Sequence, residues 1–148
     1  QAQILELLQN LQQRLGLSII MITHDLGVVA GLCDRVAVMY AGRIVEQAGA
    51  EDLFAQPGHP YTMGLLRSTP RIDGGDERMI SIAGSPPDLL LAQHGCSFAS
   101  RCPSPHEKCG IDVRLQEVTA HRKVACHFPF EGPWAKETPE RSKTVVTG

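Results

Sequence analysis

No run of apolar residues approaches the ~20 that a membrane-spanning helix needs, so any link to a membrane is expected to go through partners. An excess of one charge is lacking too: a formal net charge of −2 gives no general attraction to nucleic acid. No Gly-x-x-x-x-Gly-Lys-Ser/Thr loop occurs, so the backbone amides and lysine that cradle nucleotide phosphates are missing. Neither does any apolar strand-like run end in Asp-Glu, the pair that could hold magnesium and polarise water. A signal peptide and internal repeats are not evident, and the composition fits a cytosolic chain. What is present is 43% apolar residues over 148, enough for one modest core. Ten prolines and fourteen glycines fall mostly after residue 40, so regular packing is expected to thin toward the carboxy terminus.

The most informative stretch is Leu17 to Leu26, Leu-Ser-Ile-Ile-Met-Ile-Thr-His-Asp-Leu. It reads as a strand apolar on both faces that ends in polar Thr23-His24-Asp25. Ahead of it, Ile4, Leu5, Leu7, Leu8, Leu11 and Leu15 recur at helical spacing, and Gly16 is placed to end that helix in a left-handed cap. Helix, short turn and buried strand form the repeating unit of a parallel α/β sheet. Ligands bind outside the carboxyl ends of such strands, where His24 falls. The alternative is that His24 merely caps the following helix, Leu26 to Leu32. Next, Arg35-Val-Ala-Val-Met-Tyr40 and Arg43-Ile-Val-Glu-Gln47 flank Ala41-Gly42, a two-residue link that predicts a β-hairpin.

Ile22-Thr-His-Asp-Leu26 followed by Cys33-Asp-Arg-Val-Ala-Val-Met-Tyr-Ala-Gly-Arg-Ile-Val-Glu46 resembles the end of the nucleotide-binding domain of an ABC transporter ATPase. The resemblance implies that His24 is the family's switch histidine, which contacts the γ-phosphate of ATP and helps hold the attacking water and magnesium site together. Phosphoryl transfer depends mainly on positioning and charge stabilisation, so one imidazole at the γ-phosphate can gate turnover. Asp25 is then a helix-capping neighbour and not a catalytic base. In the family the phosphate loop, the Leu-Ser-Gly-Gly-Gln-like signature and the Asp-Glu strand all precede the helix with which this chain opens. The expectation is therefore a carboxy-terminal fragment, inactive alone, of a subunit that uses ATP and Mg2+ when intact.

Beyond the hairpin, Ala50 to Ala55 predicts a short amphipathic helix with Leu53 and Phe54 on one side. Gln56-Pro-Gly-His-Pro60 breaks it, and Pro60 suits the first turn of a second helix through Ser68, with Tyr61, Leu65 and Leu66 available for packing. Residues 69–78 read as a linker, Met79-Ile-Ser-Ile-Ala83 as a short strand, and Gly84-Ser-Pro-Pro87 as its stop. Pro57-Gly-His-Pro-Tyr-Thr62, Ser68-x-Pro70 and Ile82-x-Gly84-x-Pro-Pro-Asp-Leu89 are similar to the carboxy-terminal extension of ATPases from oligopeptide, dipeptide and nickel importers. His59-Pro60-Tyr61 is read as a helix-start turn with a packed tyrosine, not as ligand chemistry.

Cys96, Cys102, Cys109 and Cys126 form Cys-x5-Cys-x6-Cys-x16-Cys. A cytosolic chain has little use for structural disulfides, so four cysteines in one core-poor segment argue for metal ligation. Four thiolates complete the ligand set of a four-iron four-sulfur cluster and equally of tetrahedral zinc. Paired Cys-x2-Cys knuckles are missing, which tilts the choice away from zinc without excluding it. Arg101, Lys108, Arg122 and Lys123 lie close in sequence, placed either to lower thiol pKa values or simply to be solvated. His94, His106, His121 and His127 leave a mixed Cys/His zinc site open. Cys33 reads as a small buried hydrophobe. The importer ATPases with this extension include members whose four-iron four-sulfur cluster is held by cysteines of this pattern, so the resemblance implies the cluster, with zinc as the alternative. Residues 84–130 carry few large apolar side chains, so metal is expected to contribute much of their folding free energy, in a structural rather than redox role.

The fold class expected is α/β: the carboxy-terminal portion of an ABC-type nucleotide-binding domain (1–49), a helical and linker extension (50–91), a four-cysteine metal-binding segment (92–130) and a disordered tail (131–148). The resemblance implies a peripheral subunit on the cytoplasmic face of the inner membrane, powering import of peptides or nickel. Its partners would be a second ABC ATPase subunit, two membrane permeases and, indirectly, a substrate-binding protein, with no nucleic acid. The competing class is a free-standing iron-sulfur or zinc module with a redox, regulatory or nucleic-acid role.

Overall fold

The computed structural model of the chain describes residues 2–68, 81–91 and 93–131. Helix α1, Ala2–Leu15, ends at Gly16, which takes φ 64°, the left-handed cap that its lack of a side chain permits. Helix α2, Leu26–Leu32, starts at Asp25, whose Oδ1 accepts the amides of Gly27 at 2.9 Å and Val28 at 3.4 Å. A cap of this kind contributes about 1 kcal/mol to a helix otherwise too short to persist. The Asp25 amide in turn donates to Thr23 Oγ1 at 3.0 Å.

Strands β1, Arg35–Tyr40, and β2, Arg43–Gly49, form the expected antiparallel hairpin. Ala41 and Gly42 take φ 48° and 76°, the two positive values that match a two-residue turn to the strand twist. Between Val38 and Met39 the register slips: Val38 faces Glu46 while Met39 faces Ile44. The extra residue is Val45, and the bulge turns both Val45 and Glu46 inward. Helix α3, Ala50–Ala55, buries Leu53 completely, and helix α4, Pro60–Arg67, begins on Pro60 with His59 as its cap.

A second hairpin, β3 Gln116–Thr119 and β4 Arg122–Val124, was not foreseen. Strand β4 pairs antiparallel with β2 through Glu46↔Val124 and Gln47↔Lys123, giving one sheet in the order β1-β2-β4-β3. The cysteine segment therefore shares the hairpin's core instead of building its own. Phe98, 1% exposed, stands edge-on to Tyr40 at 5.2 Å between ring centroids and 5.5 Å from Tyr61, over Val38, Val45, Ala48 and Leu53.

Three expectations are corrected. Residues 17–23 form no strand, and Ile20 and Ile22 are 94% and 97% exposed. A strand's amides and carbonyls need a neighbouring strand, and the described residues supply no parallel partner; their sheet is wholly antiparallel. Residues 81–83 are likewise not a strand, because the carbonyls of Ile82 and Ala83 accept the Arg101 guanidinium at 2.9 and 2.8 Å. Cys33 is half-buried, at the C-cap of α2, with its amide on the Val29 carbonyl. The linker at 69–78, residues 79 and 80, and the tail beyond 131 lie outside the described residues. None of the described helices is long and apolar enough to cross a membrane.

Candidate functional site

Thr23 and Asp25 spend their side chains on the start of α2, which leaves His24 between them, exposed and uncommitted to the helix. The cap is therefore Asp25 and not His24. Among the described residues no other expected site residue comes to His24.

The four cysteines converge. Cys96, Cys102, Cys109 and Cys126 line one cavity of about 20 Å3, room for a single water-sized occupant. Their loops are cross-tied by main-chain bonds. The Cys96 amide donates to the Cys109 carbonyl at 2.8 Å, and Asp112 Oδ1 accepts the Gly95 amide at 2.8 Å. Gly95 sits at φ 72°, where an added Cβ would overlap the Cys109 carbonyl, so only glycine lets the two loops meet. Short 3-10 turns, Ala99–Arg101 and Glu107–Gly110, set the approach to Cys102 and carry Cys109.

All four thiols are free. Burial pushes the Cys96 and Cys102 thiols up and raises Cys126 to about 11. Hydrogen-bond donors work in the opposite sense: main-chain groups of Phe98 and Ala99 at Cys96, Ser104 main chain and side chain at Cys102, and the Phe128 amide 3.4 Å from Cys126 Sγ. Donors aimed at buried sulfur favour the thiolate, the form that binds metal. Neighbouring thiols add to the rise at Cys96, Cys102 and Cys126, as anions sharing one cavity must unless a cation joins them. In donor type and second-layer hydrogen bonding these residues fit a thiolate-bound metal. Their positions do not yet form one: among the described residues no three His, Cys, Asp or Glu side chains stand in a metal-holding arrangement.

Three of the basic residues close in sequence are engaged elsewhere. Arg101 donates to Ile82, Ala83 and the Tyr40 hydroxyl, and Lys108 lies 5.9 Å from the Phe128 ring centroid. Arg122 is buried against Glu46, Nη2 to Oε1 at 3.0 Å, and also donates to the Gln56 carbonyl. Of the four flanking histidines, His106 lines the cavity, its ring 4.1 Å from that of Phe128, while His127 Nε2 lies 3.1 Å from the Ile111 carbonyl.

Glu46 was missed in the sequence. Wholly buried on β2, it accepts the Gly58 amide at 2.7 Å through Oε1 and the His59 amide at 2.9 Å through Oε2. It thereby fixes the turn ahead of α4 to the sheet. Gly58 leaves no room for a side chain, since a Cβ there would lie 2.8 Å from Val124 Cγ2. His59 Nδ1 accepts the Tyr61 amide at 3.0 Å, so the neutral ring carries its proton on Nε2. Burial holds His59 down at about 4. The ring lines the cysteine cavity, and its Nε2 is buried without a partner among the described residues.

Residues 45–109 match the family profile described as the C-terminal region of the oligopeptide/dipeptide transporter. The oligopeptide transport ATP-binding protein OppD of Escherichia coli (strain K12) is 51% identical over 131 residues, 88% of this chain and 39% of that protein. Over most of its length this chain is similar to the C-terminal part of oligopeptide/dipeptide transporter ATP-binding proteins. The oligopeptide transport ATP-binding protein AppD of Bacillus subtilis (strain 168) is 52% identical over 139 residues, 93% of this chain and 42% of that protein. The dipeptide transport ATP-binding protein DppD of the same organism is 53% identical over 109 residues, 74% of this chain and 32% of that protein. The chain thus spans about a third to two-fifths of the length of these relatives. Within the family's C-terminal region, the profile takes in Glu46, His59, Cys96, Cys102 and Cys109.

Proposed function

We propose that the full-length polypeptide carrying this sequence is the ATP-hydrolysing subunit of an ABC importer of peptides. Identity of about half to relatives named oligopeptide and dipeptide transport ATP-binding proteins is the observation that carries this reading. In it the subunit uses ATP and Mg2+, works beside a second ATPase subunit and two membrane permeases fed by a substrate-binding protein, and lies peripherally on the cytoplasmic face of the membrane. His24 is the residue of this chain that meets ATP. With Thr23 and Asp25 occupied at the α2 start, the imidazole is fixed at its base and free at its tip. A donor held there stabilises charge on the γ-phosphate and orients the attacking water. The 148 residues lack the phosphate loop, and no turnover is expected of them alone.

The second part of the proposal is that Cys96, Cys102, Cys109 and Cys126 hold a four-iron four-sulfur cluster, with zinc the alternative occupant. The convergence of all four free thiols on one cavity, with hydrogen-bond donors on three of them, supports it. The bound metal supplies positive charge that lets the thiols ionise inside the protein. The protein's share is to bring the residue 96–109 turns and Cys126, which follows β4, to one place and to shield the sulfurs behind Phe98 and Phe128.

ATP turnover of the full-length subunit and its His24→Ala variant tests the first part. Loss of turnover with nucleotide binding retained is expected; turnover equal to that of the parent would remove His24 from the chemistry.

A further inference from the structure

The metal reading leaves unused a buried side chain in the wall of the cysteine cavity. His59 sits at the start of α4, 1% exposed, and lines the same cavity as the four thiols. Its main-chain amide is held by Glu46 Oε2 at 2.9 Å, and its Nδ1 by the Tyr61 amide at 3.0 Å. The ring also packs against Phe98, with centroids 5.9 Å apart. Two hydrogen bonds and one ring contact therefore fix both the backbone and the ring plane. Because Nδ1 accepts, Nε2 must carry the hydrogen, and that N–H is buried with no partner among the described residues. A buried donor left unpaired costs about 1–3 kcal/mol, so a structure that retains one at the wall of a cavity is arranged for an acceptor inside it. The lining offers the four cysteine sulfurs as acceptors, beside Ser104, His106 and Glu131, and among the described residues none of them yet bonds Nε2.

We propose that His59 Nε2–H donates a hydrogen bond to a sulfur of the metal–thiolate centre in this cavity, and so positions and tunes that centre without ligating the metal. This rests on the reading that the four cysteines bind metal. A neutral donor suits the task. With Nδ1 accepting the Tyr61 amide the ring is the neutral tautomer, so it adds hydrogen bonding without a second cation beside the metal. Hydrogen bonds to cluster sulfurs stabilise the more negative, reduced state and raise the reduction potential.

Two variants separate this role from the helix cap. In His59→Asn the amide oxygen takes the place of Nδ1 and keeps the cap, while the Nε2 donor is lost. In His59→Gln the side-chain amide nitrogen reaches the place of Nε2, while the cap acceptor is lost. The full-length polypeptide and both variants, purified without oxygen, are assayed for iron, sulfide and zinc and titrated for the cluster's reduction midpoint. The expected result is metal in all three, a lower midpoint in His59→Asn and a midpoint in His59→Gln close to the parent. If zinc is the occupant, the cobalt(II)-substituted protein is read instead, and the thiolate-to-cobalt charge-transfer band moves to lower energy in His59→Asn alone. An unchanged His59→Asn, or equal shifts or equal metal loss in both variants, overturns the proposal. A parent protein free of iron and zinc overturns the four-cysteine reading itself, and this proposal with it.

Discussion

Replacing Glu46 by Gln should open the turn between α3 and α4. The carboxylate accepts three hydrogen bonds, from the Gly58 and His59 amides and from Arg122 Nη2. An amide in its place has one oxygen, so one of these donors faces an NH2 group and is left unpaired, at about 1–3 kcal/mol. Arg122 also keeps a buried charge without its counter-ion, and breaking a buried pair from one side typically costs about 3–5 kcal/mol. The two costs overlap, and about 3 kcal/mol of lost local stability is a conservative sum. That corresponds to roughly hundred-fold faster amide exchange at Gly58 and His59. Hydrogen–deuterium exchange of the full-length polypeptide measures it directly. Glu46→Gln combined with Arg122→Met removes the stranded charge and should exchange more slowly than Glu46→Gln alone. Exchange within about threefold of the parent, or full additivity of the two single costs, would refute the reasoning.

Other consequences are equally specific. The His59 ring, about 4 when folded against an ordinary 6.5, is protonated first in the unfolded chain; its contribution is complete above pH 6.5 and falls as pH drops toward 4, by roughly 3 kcal/mol in all. Denaturant unfolding from pH 7.5 to 4 should show this fall, and His59→Gln should flatten it. Gly95→Ala forces a Cβ onto the Cys109 carbonyl at positive φ and should cost about 3 kcal/mol or more, seen as rapid thiol labelling of the metal-free protein where the parent labels slowly. Asp25→Ala should cost α2 about 1 kcal/mol, read as faster exchange of the Gly27 and Val28 amides while β1 and β2 stay protected.

Elements whose signals are local were legible in the sequence. The Ala41-Gly42 link announced the first hairpin, Pro60 the start of α4, Gly16 the end of α1 and Asp25 the start of α2. Residues 17–23 carry a strand's pattern, but a strand exists only through its neighbours, and pairing is not written in the segment itself. The β3–β4 hairpin escaped for the opposite reason: four and three residues, mostly polar, joined by Ala120-His121 with no glycine to mark the turn. Here His121 itself takes φ 65°. No local signal marks Glu46 for burial, because only the one-residue bulge at Val45 turns it inward to meet Arg122. His59-Pro60-Tyr61 was legible as a helix-start turn with a packed tyrosine. The place of His59 on the cysteine cavity depends on residues 96–126 folding back onto α4, a contact across dozens of residues that no local pattern encodes. The four cysteines stood out by their close spacing, and the structure brings them to one cavity.

The measurement that bears most directly on the account is the iron, acid-labile sulfide and zinc content of the full-length polypeptide purified without oxygen, alongside Cys102→Ser. About four iron and four sulfide per chain, lost or much reduced in Cys102→Ser, is the result expected of a cluster at Cys96, Cys102, Cys109 and Cys126. A parent protein without iron, sulfide or zinc, or metal retained in full by Cys102→Ser, would contradict it.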